Sequence, residues 1–328
     1  MARSKTTNDC DILISGGGIA GLTLALILGN AGINVTVIDR EKLPDSVGQM
    51  PDGTRTAALM QSTIAVLERT SAWTRCEQRG ETMQTLQIID DSKQGKAPLP
   101  VKFQAQDIGQ ERFGVNMPLA PLRAALGEEF KTVKNLTYIE SPLTHFDTDD
   151  FGITARLENN TTIRAKLIVG ADGRRSKVRD IAGIGCTEHD CNQMAITCLL
   201  DHTKPHHFTS TEFHRPTGPF TLVPMPKNRS SLVWVEPTDT AQDFLTISKH
   251  AFTRAVQDRT DGILGEVTLS TSPQGCPLLT QIAKTLTAPR VALIAEAAHV
   301  IHPIGAQGLN VSLCDVAALA DLLIEAKN

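Results

Sequence analysis

The stretch DILISGGGIAGLTLALILGNAGINVTVIDR, residues 11–40, has the pattern of a strand, a glycine-rich turn, a helix and a second strand. Residues 12–14 form a short apolar run, residues 19–28 are long and apolar enough for a buried helix, and residues 35–38 form a β-branched run. Two strands joined by one helix in this way make a right-handed crossover unit. The stretch therefore predicts an α/β fold built on a parallel sheet.

The turn in this stretch carries Gly16, Gly18 and Gly21 in the spacing G-x-G-x-x-G, and Asp39 ends the second strand. Such glycines permit a tight turn and close approach of the backbone to a pyrophosphate, and a helix N-terminus attracts negative charge. A carboxylate about 20 residues further on accepts hydrogen bonds from ribose hydroxyls. The pattern predicts a site for NAD or FAD. Taken alone, it would also fit a glycine-rich turn that binds nothing.

The pattern away from this unit predicts a second kind of sheet. Apolar periodicity predicts three further helices, over residues 54–69, 118–130 and 241–258. Turn signals predict a hairpin around Asn159 and Asn160 that leads into a buried strand at 167–169. Four short strands within residues 192–237, separated by Pro, Gly and Asn, predict an antiparallel sheet. The last 38 residues return to strand, turn and helix.

Length and composition limit the class of protein. At 328 residues the chain exceeds the usual size of one core, which predicts two domains or one domain with a large insertion. Its 21% charged residues and net charge of -4 argue against a nucleic-acid partner. Seven scattered cysteines without a C-x-x-C pair favour the reducing cytoplasm. No signal peptide or apolar run of about 18 residues is present, although contact with a membrane surface stays open.

Two later turns also follow strand-like segments. KLIVGADGRRSKVR, residues 166–179, ends its strand in Gly-Ala-Asp-Gly, so Asp172 could meet a ligand at the strand ends. The alternative is that Asp172 and Ser176 cap a following helix. VALIAEAAHVIHPIGAQGLN, residues 291–310, places Glu296 and a glycine-rich loop directly behind an apolar strand.

Together, the three stretches resemble the FAD-dependent aromatic hydroxylases of the para-hydroxybenzoate hydroxylase fold, and most of all the ubiquinone-biosynthesis hydroxylases. That family carries an N-terminal G-x-G-x-x-G, a middle D-G followed by S-x-V-R, and a late G-D that runs into A-A-H-x-x-x-P-x-x-G-Q-G-x-N. The matching residues of the two later motifs are Asp172, Gly173, Ser176, Val178, Arg179, Ala297, Ala298, His299, Pro303, Gln307, Gly308 and Asn310. The resemblance covers nearly the whole chain, with the motifs in the family's order.

The resemblance implies that three separated segments bind one FAD. The first would hold the pyrophosphate and adenosine ribose, the middle turn would serve flavin and nicotinamide, and the late loop would lie against the isoalloxazine ring. The residues implied are Gly16, Gly18, Gly21, Asp39, Arg40, Arg55, Arg123, Asp172, Gly173, Glu296, Pro303, Gln307, Gly308, Leu309 and Asn310. No catalytic side chain is singled out.

The resemblance also implies the domain arrangement and the reaction. A discontinuous Rossmann-like FAD-binding domain would comprise residues 1–75, 100–180 and 276–328, and an interleaved substrate domain with an antiparallel sheet would comprise 76–99 and 181–275. NAD(P)H would act as a transient co-substrate without its own Rossmann domain. With O₂, the enzyme would hydroxylate an aromatic ring, namely a polyprenylated phenol or quinone precursor of ubiquinone. Attachment to the inner membrane or to a biosynthetic complex is left open.

The chain departs from the family pattern at the late motif. Ala295 and Glu296 stand where the family has Gly-Asp. In the following helix, Ser312 and Cys314 stand where the family has a Gly and an Arg. The chain also ends earlier than its relatives. These departures motivate one alternative, a non-catalytic flavin-binding or assembly relative. A flavin-dependent prenyl reductase on the same fold, which needs no oxygen, is a further alternative.

Histidines and tryptophans have simpler interpretations. His299 and His302 are interpreted as loop residues, since no carboxylate and histidine triad at ligand spacing indicates a metal. The group His202, His206, His207 and His214 is interpreted as a solvated loop. Trp234 is interpreted as core, and its single-tryptophan context disfavours a flavin halogenase.

Overall fold

The computed structural model describes residues 5–44, 46–48, 51–91 and 100–327. Within these ranges the strands form three sheets, and the longer helices pack on two of them. The strands are β1 (Lys5–Ser15), β2 (Val35–Asp39), β3 (Thr56–Met60), β4 (Glu81–Met83), β5 (Thr85–Asp90), β6 (Pro100–Gln104), β7 (Gly114–Pro118), β8 (Leu136–Glu140), β9 (Leu143–Asp149), β10 (Gly152–Leu157), β11 (Thr161–Gly170), β12 (Cys186–His202), β13 (Thr209–Arg215), β14 (Gly218–Met225), β15 (Arg229–Pro237), β16 (Val267–Leu269), β17 (Gln274–Ala283), β18 (Thr287–Ala288), β19 (Val291–Leu293) and β20 (His299–Val300).

Eight α-helices are described between and after these strands. They are α1 (Ile19–Asn30), α2 (Gln61–Leu67), α3 (Ala72–Cys76), α4 (Leu119–Phe130), α5 (Lys177–Ile181), α6 (Thr238–Thr246), α7 (Lys249–Arg259) and α8 (Gln307–Lys327). No helix within the described ranges has the length and apolar character needed to cross a membrane.

The first sheet has the strand order β18-β19-β11-β1-β2-β8, with the β9–β10 hairpin joined to β11. Strands β1, β2, β8, β11 and β19 pair in parallel. Ile12, Leu13 and Ile14 of β1 are all buried, because α1 and its neighbours cover one face and a second apolar cluster covers the other. The predicted parallel sheet is confirmed, and so is the hairpin at Asn159 and Asn160.

The second sheet has the order β20-β17-β12-β15-β14-β13-β5-β6, with β16 beside β12. All its pairs are antiparallel except β5 with β13. Helices α6 and α7 cover one face, where Trp234 and Phe252 are fully buried. The predicted antiparallel sheet and the core position of Trp234 are confirmed. The helix predicted at 241–258 is divided into two by Ser248, whose hydroxyl caps α7.

The helix predicted over residues 54–69 is wrong in its first half. Residues 56–60 form β3, which pairs with β7 in a three-stranded sheet, and the helix α2 begins only at Gln61. The apolar pattern of this segment fits either element, and pairing with a distant strand decides it.

Sheet membership shows how the two halves of the fold interleave. Strand β6 lies within the predicted FAD-binding segment 100–180 but pairs with β5 in the second sheet. Strand β17 begins at Gln274, just before the predicted boundary at 276, and pairs with β12. The domain limits themselves stay a prediction.

Candidate functional site

A groove of about 1150 Å³ runs between the first and second sheets. Its lining combines the turn after β1, residues 52–58, the turn after β11, residues 295–309 and one face of the second sheet. The three turns singled out in the sequence meet here, since Gly16 packs on the backbone of Ala171, and Glu296 Oε2 lies 3.9 Å from where a Cβ of Gly173 would be. One extended ligand could therefore contact all three turns.

The three glycines of the first turn have different roles. A Cβ on Gly16 would overlap the carbonyl of Ala171, and a Cβ on Gly21 would overlap the carbonyl of Gly16. Gly18 has no atom of the described residues within 4 Å of its would-be Cβ, and it lines the groove. It is also the N-cap of α1, and no side chain in the described ranges caps that helix end. The free amides and the positive end of the helix dipole therefore form an anion site open to the groove.

Charged side chains hold this first turn in place. Asp39 accepts hydrogen bonds from the amides of Gly17 at 2.5 Å and Glu41 at 2.8 Å. Arg123 donates from Nε to the Gly17 carbonyl at 2.9 Å and pairs with Glu41 at 3.1 Å. Arg123 lines the groove, whereas Asp39 and the exposed Arg40 lie beside it, at the end of β2.

In the middle turn, Asp172 caps a helix and lies behind the groove lining. Its Oδ2 accepts from the amides of Lys177 at 2.8 Å and Val178 at 3.2 Å, and Ser176 caps α5 through Arg179 N. Its buried Oδ1 has no partner among the described residues. Burial raises the pKa of this carboxyl, against the opposing effect of its hydrogen bonds. The capping interpretation of Asp172 and Ser176 therefore describes these side chains well, while Ala171 and Gly173 supply the groove lining.

In the late segment, Ala295, which stands where the family has Gly, has a strained backbone conformation. Ala295 has φ of +55°, the left-handed region that disfavours a Cβ, and it lines the groove. Asp315 on α8 stabilises this turn, since its Oδ2 accepts from Ala295 N at 2.9 Å and bonds His299 Nε2 at 2.6 Å. The hydrogen bond from His299 to the Asp315 carboxylate raises the pKa of His299, although burial opposes it.

Asn310 holds the late loop to the region of β3. Its Oδ1 accepts from Met60 N at 2.9 Å and Thr63 Oγ1 at 2.6 Å, and its Nδ2 donates to Ala58 O at 2.8 Å and Ala306 O at 2.7 Å. All four hydrogen-bonding positions of the buried amide are thus used within the protein. The side chain therefore fixes the late loop to the region of β3 from behind the groove lining.

The predicted site residues divide into two sets. Those that line the groove are Gly18, Arg55, Arg123, Gly173, Glu296, Pro303, Gln307, Gly308 and Leu309. Those that lie behind or beside the lining are Gly16, Gly21, Asp39, Arg40, Asp172 and Asn310. Direct contact with a cofactor stays a prediction for both sets.

Several residues of the site were not predicted from sequence. Asp52 accepts from Arg79 and Arg229 at 2.7 Å each, which ties the groove loop to β15. Burial opposes ionisation of Asp52, but these two hydrogen bonds outweigh it and lower its pKa. Asp315 belongs to the run DVAALA, which is similar to the family, so this run could have predicted its place in the site. No sequence feature indicated Asp52.

The sheet side of the groove carries an unexpected polar group. Glu212 and His214, two residues apart on β13, both line the groove, and Glu212 Oε1 lies 2.6 Å from His214 Nε2. Thr221 on β14 donates to the other carboxylate oxygen at 3.4 Å. His214 is thus part of the groove wall.

One other histidine contradicts its interpretation. His202, interpreted as solvated, is buried, with hydrogen bonds to Lys204 O at 2.7 Å and Ser230 Oγ at 3.0 Å, and burial lowers its pKa. Within the described ranges, no group of three His, Cys, Asp or Glu side chains is arranged to hold a metal ion.

Comparison with known proteins bears directly on this groove. The model of the family described as FAD binding domain matches residues 9–328. The chain belongs to this FAD-binding family. Ubiquinone hydroxylase UbiL of Rhodospirillum rubrum is 34% identical over 318 residues, covering 97% of this chain and 73% of that protein. The 3-demethoxyubiquinol 3-hydroxylase of Escherichia coli is 29% identical over 338 residues, covering 98% and 82%.

The fold agrees with this assignment. PqsL of Pseudomonas aeruginosa, described as a probable FAD-dependent monooxygenase, superposes with a TM-score of 0.82 at 23% identity, covering 96% of this chain and 85% of PqsL. The chain is thus an FAD-dependent monooxygenase of the family that the sequence motifs indicated, with NAD(P)H as the reductant general to the class.

The residues of the groove fit FAD. An uncapped helix N-terminus beside the open Gly18 suits a pyrophosphate. Gly305 and Ala306, both at positive φ, shape the loop before α8, and Gly308 there has open space around its would-be Cβ. A flat ring could therefore approach the backbone at this second end of the groove.

Replacement of Ala295 by Gly is expected to stabilise the protein by about 0.5–1 kcal/mol, because the left-handed conformation costs Ala more than Gly. It also removes a methyl group from the groove, so FAD should bind roughly three- to tenfold more tightly. Thermal melting and FAD titration measure the two effects.

The matched control is A297G, at a fully buried position two residues later that does not have positive φ. That variant should lose stability without any gain in affinity. A loss of stability in A295G would contradict the interpretation of residue 295 as strained.

Proposed function

We propose that this monooxygenase hydroxylates the ring of a polyprenylated phenol or quinone precursor of ubiquinone. The observation that carries the proposal is the continuity of the groove, which runs from the FAD-type turns onto one face of the second sheet. That face is mixed: Val223 and Val233 are apolar, while Glu212 and Thr221 can hydrogen-bond. A ring with hydroxyl groups and an apolar substituent matches this wall. The names of the relatives support the same substrate class.

Each part of the groove would have a distinct task. Bound FAD supplies the chemistry of oxygen transfer. The first turn would hold the pyrophosphate through backbone amides and the helix dipole, Arg55 and Arg123 would lie along the phosphate and ribityl side, and the late loop would support the flavin ring. The second sheet would orient the substrate and exclude water from the reacting centre. NAD(P)H would bind transiently.

The substrate also bears on location. A prenylated precursor partitions into the bilayer, so the proposal includes peripheral association with the inner membrane or with a biosynthetic complex. The described residues supply no spanning helix for this purpose.

The test uses the purified full chain with FAD, NAD(P)H and a prenylated phenol in detergent. The proposal predicts NAD(P)H oxidation and oxygen consumption that depend on the phenol, together with a product heavier by one oxygen atom. The absence of phenol-dependent oxidation in protein that carries FAD would contradict it.

The strained Ala295 favours one second candidate, a non-catalytic flavin-binding relative. For that candidate, FAD would bind without any substrate-dependent oxidation, even in A295G. A prenyl reductase would oxidise NAD(P)H without consuming oxygen, so oxygen consumption distinguishes it from the proposed monooxygenase.

A further inference from the structure

We propose that an apolar strip at the edge of the second sheet binds the prenyl tail of the substrate. The strip comprises Leu86 and Ile88 on β5 with Val101 and Phe103 on β6. The inference rests on the proposed function for the identity of the tail, and it assigns the tail a place that the FAD motifs do not specify.

The register of β5 and β6 puts these four side chains on one face. The two strands are antiparallel, and Leu86 pairs with Phe103 while Ile88 pairs with Val101. Directly paired residues point to the same side of a sheet. Leu86 and Ile88 line the groove, so Val101 and Phe103 extend that wall beyond the groove.

The neighbouring strand on the inner side is polar on the same face. Ser210 pairs with Leu86 and Glu212 pairs with Ile88 across the parallel β5–β13 pair. Ser210 and Glu212 line the groove. The wall therefore changes from polar on β13 to apolar on β5 and β6, the polarity that a hydroxylated ring with a hydrocarbon tail requires.

The strip is open to the outside. Val101 is 53% exposed and Phe103 is 48% exposed, although both are apolar. Strand β6 is the last in the order of the second sheet. With strands about 4.8 Å apart, the path from β13 to β6 is roughly 10 Å long. A long tail would follow the strip to this edge and continue outside the protein, which lets one site accept tails longer than the groove.

Continuity with the groove favours a substrate tail over other apolar partners. A contiguous exposed apolar surface commonly marks a binding site, and this one begins at residues that already line the ligand groove. A membrane surface or a second copy of the chain would cover Val101 and Phe103 without needing Leu86 and Ile88. Those occupants are separate outcomes of the test.

The experiment compares wild type with the double variant V101T/F103T, which keeps strand-forming side chains but removes the apolar surface. The control is K102T, on the same strand and the opposite face. Two probes are used with FAD and NAD(P)H in detergent: a phenol with an octaprenyl tail and the same phenol with one isoprenyl unit. Farnesol binding is measured separately by calorimetry.

The proposal predicts that V101T/F103T raises KM for the octaprenyl phenol about tenfold, from lost apolar contact. KM for the short-tailed phenol and both kcat values should stay unchanged, K102T should behave as wild type, and farnesol should bind the double variant more weakly. Equal changes for both phenols, or none, would overturn it. Unchanged KM values would also overturn it if the double variant bound phospholipid vesicles more weakly or lost a self-association that wild type shows. If wild type oxidises neither phenol, the proposed function fails. Farnesol binding to wild type and to the double variant then decides whether the strip binds a prenyl chain.

Discussion

Replacement of Gly18 by Ala is expected to leave the fold intact while weakening FAD binding by roughly 5- to 150-fold, equivalent to about 1–3 kcal/mol of steric overlap. The described part of the chain has room for the added methyl group, since none of its atoms lies within 4 Å of it, and Gly18 has an ordinary extended conformation with φ of -77°. The methyl group would instead occupy the space of a pyrophosphate at the N-terminus of α1. FAD titration by flavin fluorescence and melting of the apo protein measure the two properties.

The matched control is G21A, one helical turn away. Its methyl group would overlap the carbonyl of Gly16, so this variant should lose stability in the absence of FAD, by at least about 1–3 kcal/mol. The two variants therefore separate a glycine needed for the ligand from one needed for the fold. If G18A bound FAD as wild type does, the first turn would not hold the pyrophosphate.

Replacement of Asn310 by Ala should lower the free energy of unfolding by about 3–5 kcal/mol, since it removes the partners of four largely buried polar groups. Those groups are Met60 N, Thr63 Oγ1, Ala58 O and Ala306 O. The late loop would lose its brace against β3, so FAD affinity should fall as well. Urea denaturation of the apo protein gives the stability, and FAD titration gives the affinity.

The control for this variant is S312A on the same helix. Ser312 is equally buried but makes one local hydrogen bond, to Gly308 O at 2.8 Å, so its loss should cost about 1 kcal/mol. Equal destabilisation in N310A and S312A would contradict a special bracing role for Asn310.

Local patterns were sufficient where one short segment determines its own structure. The crossover unit of residues 11–40 was predictable because its apolar runs, glycines and Asp39 all lie within 30 residues. The hairpin at Asn159 and Asn160 was predictable for the same reason. In contrast, the apolar pattern of β3 also fits a helix, and its strand character depends on β7, more than 50 residues away.

The candidate site shows the same division. The backbone positions Gly18, Gly173 and Gly308 came from motifs and do meet in one groove. The side chains that fix the geometry were harder to predict. Asp52 acts through Arg229, a partner that only the fold brings close, and Glu212 reaches the groove only because of the place of β13 in the second sheet. Asp172 illustrates a further limit, because its sequence context serves equally well for a helix cap and for a ligand site.

Hydrogen exchange of the full chain, with and without FAD at saturating concentration, tests whether three turns distant in sequence bind one FAD. We expect slower exchange of backbone amides in residues 16–21, 171–173 and 303–310 together, with a stoichiometry of one FAD per chain. Protection confined to residues 16–21, with the other two segments unchanged, would contradict it.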